Sequence, residues 1–188
     1  VLNGIEKKGY CVNMFNIGFD CNVADTTGNI KKSKILSGPF AYYASIFINL
    51  VRKKGTNVKI ELDGETVHNG KILLTSVANG SFCGRGIKSN PLASVKDGFI
   101  NINIIKNISL LKFLYLLPYY MKGTFLSLKD IDKIILSKKC KKVCVTPYEK
   151  KFKFCNDGEI EKASKTEFEI VHNAFNFVIP KYRTNNKL

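Results

Sequence analysis

The chain has 188 residues, 45% of them hydrophobic, and carries 30 Lys+Arg against 15 Asp+Glu, a formal net charge of +15. The apolar fraction is too high for a disordered tail, and Gly and Pro are too scarce for collagen or a linker. No run of about 20 apolar residues occurs, so no helix is expected to span a bilayer. A chain of this length buries roughly 70% of its unfolded surface, enough for a core without metals or disulfides. A single domain over 1–188 is expected.

The opening Val1–Gly9 segment has no apolar run like the core of a signal peptide. Its Asn3-Gly4 reads as turn chemistry in mid-fold, so a piece of a longer protein is expected. Tyr10 to Ile17 predicts a buried strand, followed by Gly18-Phe19-Asp20 and a basic loop from Ile30 to Lys34. The apolar residues Leu36, Phe40, Tyr43, Phe47 and Leu50 recur at spacings of four and three. That pattern predicts a helix over Gly38–Lys54 with one apolar face, capped by Ser37 and begun by Pro39. Val58–Leu62 alternates with period two, Asp63-Gly64 is a hairpin-turn signal, and Glu65–His68 returns beside the first strand. Lys71–Ala78 predicts a central strand. Phe99–Ile105 predicts another, with Ile100, Ile102 and Ile104 on one face.

Ser109 is placed to cap a second helix, Leu110–Lys122, bent by Pro118 and ended by Gly123. Short strands are expected near Ile131–Leu136, Lys142–Val145, Lys151–Cys155, Thr166–Val171 and Asn176–Ile179. The whole predicts a mainly β (α+β) fold, a β-sandwich or barrel-like domain with two inserted helices. Cysteines at 11, 21, 83, 140, 144 and 155 form no Cys-x-x-Cys pair, so they read as reduced thiols rather than metal ligands. His68 and His172 fall in predicted strands with no nucleophile motif beside them and read as structural.

Basic residues cluster at 7–8, 31–34, 52–54, 138–142 and 150–153, which attracts polyanions. Lysine outnumbers arginine, which disfavours base-specific reading, and no aromatic strand suits an RNA sheet reader, so no specific nucleic acid is expected. An anionic membrane surface fits the charge, as do plain solvated lysines. The densest glycine segment, Asn79-Gly80-Ser81-Phe82-Cys83-Gly84-Arg85-Gly86, is not a phosphate loop, because no Gly-Lys-Ser/Thr and no helix follow. By itself it reads as a loop over the sheet or a ligand contact. Asp97-Gly98 and Asn156-Asp157-Gly158-Glu159 read as turns, the second able to project a carboxylate towards a cleft.

Together these segments resemble the diacylglycerol/sphingosine lipid kinase family, specifically its C-terminal β domain. Asn13-Met14-Phe15-Asn16-Ile17-Gly18-Phe19-Asp20-Cys21 resembles the family's opening strand, Asn-Val-Ala-Ser-Ile-Gly-Phe-Asp-Ala. Ser37-Gly38-Pro39-Phe40-Ala41-Tyr42 resembles its Gly-x-x-x-Tyr helix start. Val77–Gly80 through Gly84–Gly86, then Pro91-Leu92-Ala93 and Asp97-Gly98-Phe99-Ile100, resemble its middle segment. Leu110–Gly123 resembles its proline-bent helix, and Asp157-Gly158-Glu159 its late Asp-Gly-Glu. The match runs in order along nearly the whole chain. The family's other lobe carries Gly-Gly-Asp-Gly-Thr for the nucleotide, and this sequence has no such motif.

The resemblance implies the substrate-side domain of an ATP-dependent kinase acting on the hydroxyl of diacylglycerol or a related lipid. It implies Mg²⁺ and ATP for the full-length protein, and no activity for this chain alone. Glu159 is then the general base, a carboxylate that accepts the hydroxyl proton as the bond to phosphorus forms. Asn79, Gly80, Gly84, Arg85 and Asp157 are implied substrate contacts, with Arg85 standing where the family has a glycine. Asp97 and the Phe99 carbonyl are implied Mg²⁺ ligands, with Ser94 where a second carboxylate would add. Implied partners are the lipid, an anionic membrane surface and a nucleotide-binding lobe of the same protein, with room for a homodimer. The implied place is the cytoplasm, peripheral at the inner membrane surface. The alternative is a non-catalytic lipid or membrane-binding module on the same fold.

Overall fold

Alternating apolar residues in short runs, broken by Asp-Gly and Gly turns, build nine strands and three helices among the described residues of the computed structural model, which are 6–32, 38–52, 55–174, 176 and 178. In chain order the elements are β1 (Met14–Gly18), α1 (Phe19–Lys32), α2 (Gly38–Arg52), β2 (Thr56–Leu62), β3 (Glu65–Ala78) and β4 (Ile100–Lys106). Then come α3 (Leu110–Lys122), β5 (Ile135–Cys140), β6 (Lys142–Pro147), β7 (Phe152–Asn156), β8 (Glu159–Ala163) and β9 (Thr166–Glu169). The strands form one antiparallel sheet in the order β8-β7-β1-β3-β2-β6-β9, with β4 on the other side of β3 and β5 beyond it. The sheet curls into a nearly closed barrel, so the predicted mainly β, barrel-like class is correct.

Period-two alternation decides what the barrel encloses. Phe15, Ile17, Val58, Ile60, Ile102 and Ile104 point inwards and are sealed from solvent. Phe15 stacks on Phe154 at 4.6 Å and meets Phe168 edge-on at 4.2 Å, tying β1, β7 and β9 together. The predicted face of Ile100, Ile102 and Ile104 is part of this core. A second core lies on the outer face of the sheet. There Leu73, Leu74 and Ile105 pack under Phe19 of α1 and Phe113 and Leu116 of α3. On the same outer face, Asn103 donates to Asn90 Oδ1 and to the Ser89 carbonyl, each at 2.8 Å, and Asn90 donates to Ser76 Oγ at 2.8 Å. These bonds pin the long β3–β4 loop across the outside of the barrel.

The local signals work as expected where backbone chemistry is decisive. Asp63 (φ 49°) and Gly64 (φ 91°) make the β2–β3 turn. Ser109 accepts from the Lys112 amide, and Gly123 ends α3 in the left-handed conformation at φ 72°. The predicted strands at 65–68 and 71–78 are one long strand, β3, with a register shift between Ile72 and Leu74.

Three expectations need correction. The stretch expected as a loop is helical as far as Lys32: α1 was not foreseen, because Asn22, Thr26, Thr27, Gly28 and Asn29 are poor helix formers held by packing rather than propensity. The predicted strand at 131–136 begins later, at Ile135, after a short 3-10 turn at Ile131–Lys133. The apolar face of α2 points outwards at Phe40 and Phe47, which are 73% and 68% exposed. Its inner face is Ala41, Ser45 and Asn49, small or polar residues that let it lie close on α1. Asn49 Nδ2 donates to Thr26 Oγ1 at 3.0 Å and to the Asn22 carbonyl at 3.3 Å across that contact. Ser37, the basic residues 53–54 and most of the strand expected at 176–179 lie outside the described residues.

Candidate functional site

The β7–β8 hairpin turns at Asp157 (φ 45°) and Gly158 (φ 102°), a tight turn that aspartate and glycine tolerate best. This turn places the Asp157 carboxylate beneath the segment entering β1. It accepts the Val12 amide at 2.6 Å, the Met14 amide at 2.8 Å and the Asn13 amide at 3.1 Å. Charge-assisted bonds of this kind are the strong ones, so Asp157 is first of all the clasp that holds residues 12–14. The Cys11 thiol donates to the same carboxylate at 3.6 Å. Burial, and then the Asp157 charge, push that thiol up to about 12.

The same segment receives the Asn79–Gly80 loop. The amides of Asn79 and Gly80 donate to the Asn13 carbonyl at 2.9 and 3.2 Å, and Asn79 Nδ2 donates to the Val12 carbonyl at 3.1 Å. A Cβ on Gly80 would stand 2.1 Å from Asn13 Oδ1, so a side chain there makes the Asn13 amide swing away from its bond to the Phe82 carbonyl. Three of the sequence-predicted residues, Asn79, Gly80 and Asp157, are therefore gathered around Val12–Met14.

Above this cluster lies a cavity of about 480 Å³. Its lining is mostly apolar, with Phe19 and Val23 of α1, Ile46 of α2, and Leu117 and Met121 of α3, and Asn13, Asn16 and the Asp157–Gly158 turn add polar groups to the wall. Asp20 and Tyr120 also line it, and the Tyr120 hydroxyl donates to Asp20 Oδ2 at 3.1 Å. Burial pushes the Asp20 carboxyl up to about 6, only partly offset by that bond. Burial, and next the Asp20 charge, hold the Tyr120 hydroxyl well above the usual phenol range. Among the described residues no lysine or arginine lines this cavity.

Gly84 reaches the cavity wall, while Asn79 and Gly80 support it from behind. Glu159 opens β8 opposite Asn156, exposed, one residue beyond the wall residue Gly158. The backbone of Arg85 lies in a short 3-10 turn, Gly84–Gly86, and its side chain is outside the described residues. Asp97 and Phe99 are not on the cavity wall. Asp97 Oδ2 accepts Lys139 Nζ at 2.7 Å, and Oδ1 accepts the Phe99 amide at 3.1 Å. Partial burial works against its ionisation, but these hydrogen bonds prevail and hold the carboxyl below its ordinary range. A cation there would have to displace Lys139, and no cluster of three His, Cys, Asp or Glu occurs among the described residues. Sequence reasoning passed over Asn16, Asp20 and Tyr120. The available signal was two polar residues, Asn16 and Asp20, in the largely apolar run Met14–Cys21.

Residues 13–179 match the family model of the YegS C-terminal NAD kinase beta sandwich-like domain. The chain belongs to this family. Within the family's reach, it is 29% identical over 150 residues to the diacylglycerol kinase of Bacillus subtilis (strain 168), covering 80% of this chain and 48% of that protein. Two solved structures from Bacillus anthracis str. Sterne share the fold. One, a diacylglycerol kinase, superposes with a TM-score of 0.55 at 18% identity over 86% of this chain and 47% of its own. The other, a candidate diacylglycerol kinase, gives 0.58 at 22% identity over 86% and 50%. The chain thus spans about half the length of the relatives it matches. It is a lipid-kinase-family domain in which β1, the 79–86 loop and the β7–β8 turn converge on one cavity.

Proposed function

We propose that this domain forms the lipid-acceptor side of a kinase that phosphorylates the hydroxyl of diacylglycerol or a related lipid. The observation that carries the reading is a largely apolar cavity, walled by residues of three helices, that also takes in the Asp157–Gly158 turn. Apolar walls suit acyl chains, and the few polar groups suit a glycerol-like head. ATP, held by a nucleotide-binding lobe beyond these residues, would supply the phosphoryl group, with Mg²⁺ neutralising its charge. In this reading Glu159 takes the proton as the lipid oxygen bonds to phosphorus, from its place just past the turn. Asp157, Asn79, Gly80 and Gly84 hold the wall in shape, and Arg85 belongs to the same loop as Gly84.

The same reading puts the domain on an anionic membrane surface. Phe40 and Phe47 of α2, and Leu111, Leu114 and Tyr115 of α3, are exposed. No acidic residue occurs from Asn107 to Lys129, while Lys112, Lys122 and Lys129 do. Apolar side chains flanked by lysines suit a lipid interface. No helix of the described residues is long and apolar enough to cross a membrane. The exposed faces also favour a second reading, a non-catalytic lipid-binding module.

The test is to express the domain in its full gene context with Glu159→Gln and follow label transfer from ATP to diacylglycerol. Loss of turnover by about two to four orders of magnitude in a folded variant is expected of a lost general base. Undiminished turnover refutes the assignment. Liposome binding without any phosphorylation by the unaltered protein selects the second reading.

A further inference from the structure

The long β3–β4 loop carries Cys83, Gly84 and Ile87 to the cavity wall, and its far end has to be fixed before β4 starts at Ile100. That end is the Asp97–Gly98 turn, with Gly98 at φ 70°. Asp97 is the only acidic residue between Glu65 and Asp130. Both of its carboxylate oxygens serve donors of the chain itself: Oδ1 accepts the Phe99 amide at 3.1 Å and Oδ2 the Lys139 ammonium at 2.7 Å. The nearby Ser94 hydroxyl accepts the Lys96 amide at 3.4 Å. Magnesium and calcium ask for six or more oxygens around one point, with carboxylates among them. A second ammonium also stands at this turn, with Lys141 Nζ 6.0 Å from the centre of the Phe99 ring. Two cations so close work against a third of double charge. On another side His172 packs against Gly98, where a Cβ would meet its Nδ1 at 2.8 Å. Lys139 itself is delivered by β5, which sets it opposite Asn101 near the start of β4.

We propose that Lys139 is the resident cation of the Asp97 turn: its ammonium, carried on β5, holds the end of the β3–β4 loop in the place a divalent metal would take. The residues at the turn do not fit Mg²⁺, and the loop that supplies part of the cavity wall is set by a cation that no chelator removes. Lys139 is then a positioning residue for that loop. The pair is partly open to solvent, so its contribution to global stability is small and its effect is local order at the turn. The inference concerns how the loop is held and stands whether or not the domain accepts a lipid.

The experiment follows hydrogen exchange over residues 96–100 of the 188-residue chain, in EDTA and in about 10 mM MgCl₂ at matched ionic strength. The unaltered chain should exchange at the same rate, within about twofold, in both. Lys139→Arg keeps the charge and should behave alike. Lys139→Glu sets a second carboxylate against Asp97. In EDTA its exchange over 96–100 should rise about tenfold while the centre of β4 stays protected. MgCl₂ should bring that exchange back to within about threefold of the unaltered chain, a gain of metal response that lost packing alone would not produce. Circular dichroism checks the fold of the variant. If Lys139→Glu does not fold, Lys139→Met takes its place and should loosen the same residues about threefold in EDTA. Exchange in the unaltered chain that slows with MgCl₂, and no longer does so in Asp97→Asn, overturns the proposal, because a divalent ion then holds the turn. Exchange that neither Lys139→Glu nor Lys139→Met moves overturns it as well. So does loosening in Lys139→Glu that MgCl₂ leaves untouched.

Discussion

Replacing Asp20 by Asn tests the electrostatics of the cavity through stability rather than ligand. Burial lifts this carboxyl from its ordinary 3.8 to about 6 in the folded chain. Between those values the native state binds more protons than the unfolded state, so stability falls as pH rises through the window. Above about pH 6 the full cost of holding the ionised form is in place. The displacement corresponds to about 3 kcal/mol at neutral pH. Asparagine keeps the acceptor for Tyr120 and removes the charge. The neighbouring Tyr120 hydroxyl and the Cys83 thiol are both pushed upwards, the latter to about 12, and stay protonated throughout. Urea unfolding followed by circular dichroism from pH 4 to 8 should therefore show Asp20→Asn the more stable protein at neutral pH. The gain should be about 1–3 kcal/mol, or up to roughly 10 °C in melting temperature for a chain of this size, and should vanish towards pH 4. A variant less stable than the parent at neutral pH, or a gap that does not close on acidification, refutes the reasoning.

Gly80→Ala displaces the Asn13 side chain from the Phe82 carbonyl and should cost about 1 kcal/mol in the same unfolding assay, the size of one exposed hydrogen bond. Asp157→Ala strands the amides of Val12, Asn13 and Met14 and should cost about 3 kcal/mol or more; hydrogen exchange at those three amides should rise first. Exposed Phe47 and Leu111 bear little on folding, so Phe47→Ser with Leu111→Ser should leave the melting temperature within a few degrees. The same pair should lower sedimentation with anionic liposomes about tenfold, and binding of the parent should weaken with added salt. Equal sedimentation of pair and parent removes the membrane face.

What could be read from the residues was the chemistry that acts over a few positions. Asp63-Gly64, Ser109, Gly123 and the Asp157-Gly158 turn each solve a backbone problem locally, and each sits where expected. The barrel class followed from period-two alternation for the same reason. The orientation of α2 was not legible, because its aromatic spacing defines a face but not which side of it meets protein; Ala41, Ser45 and Asn49 won through close approach to α1. Helix α1 is held by tertiary contacts that override weak propensity. Asn79, Gly80 and Asp157 were picked out from motif likeness, and their clustering depends on pairings between distant strands. Asn16 and Asp20 gain their meaning only from a cavity whose walls come from α1, α2, α3 and β7.

The clasp between Asp157 and residues 12–14 has a consequence for how the chain matures. β1 meets β7 with Phe15 opposite Asn156, so this strand waits for a far later stretch of chain before its outer partner exists. Contacts of such sequence separation form late and slow the search. On the ribosome, a nascent chain that has not yet emerged as far as the second hairpin carries a barrel with an open seam and no pocket floor. Competence to hold a ligand is thus acquired only once the β7–β8 hairpin has joined the sheet.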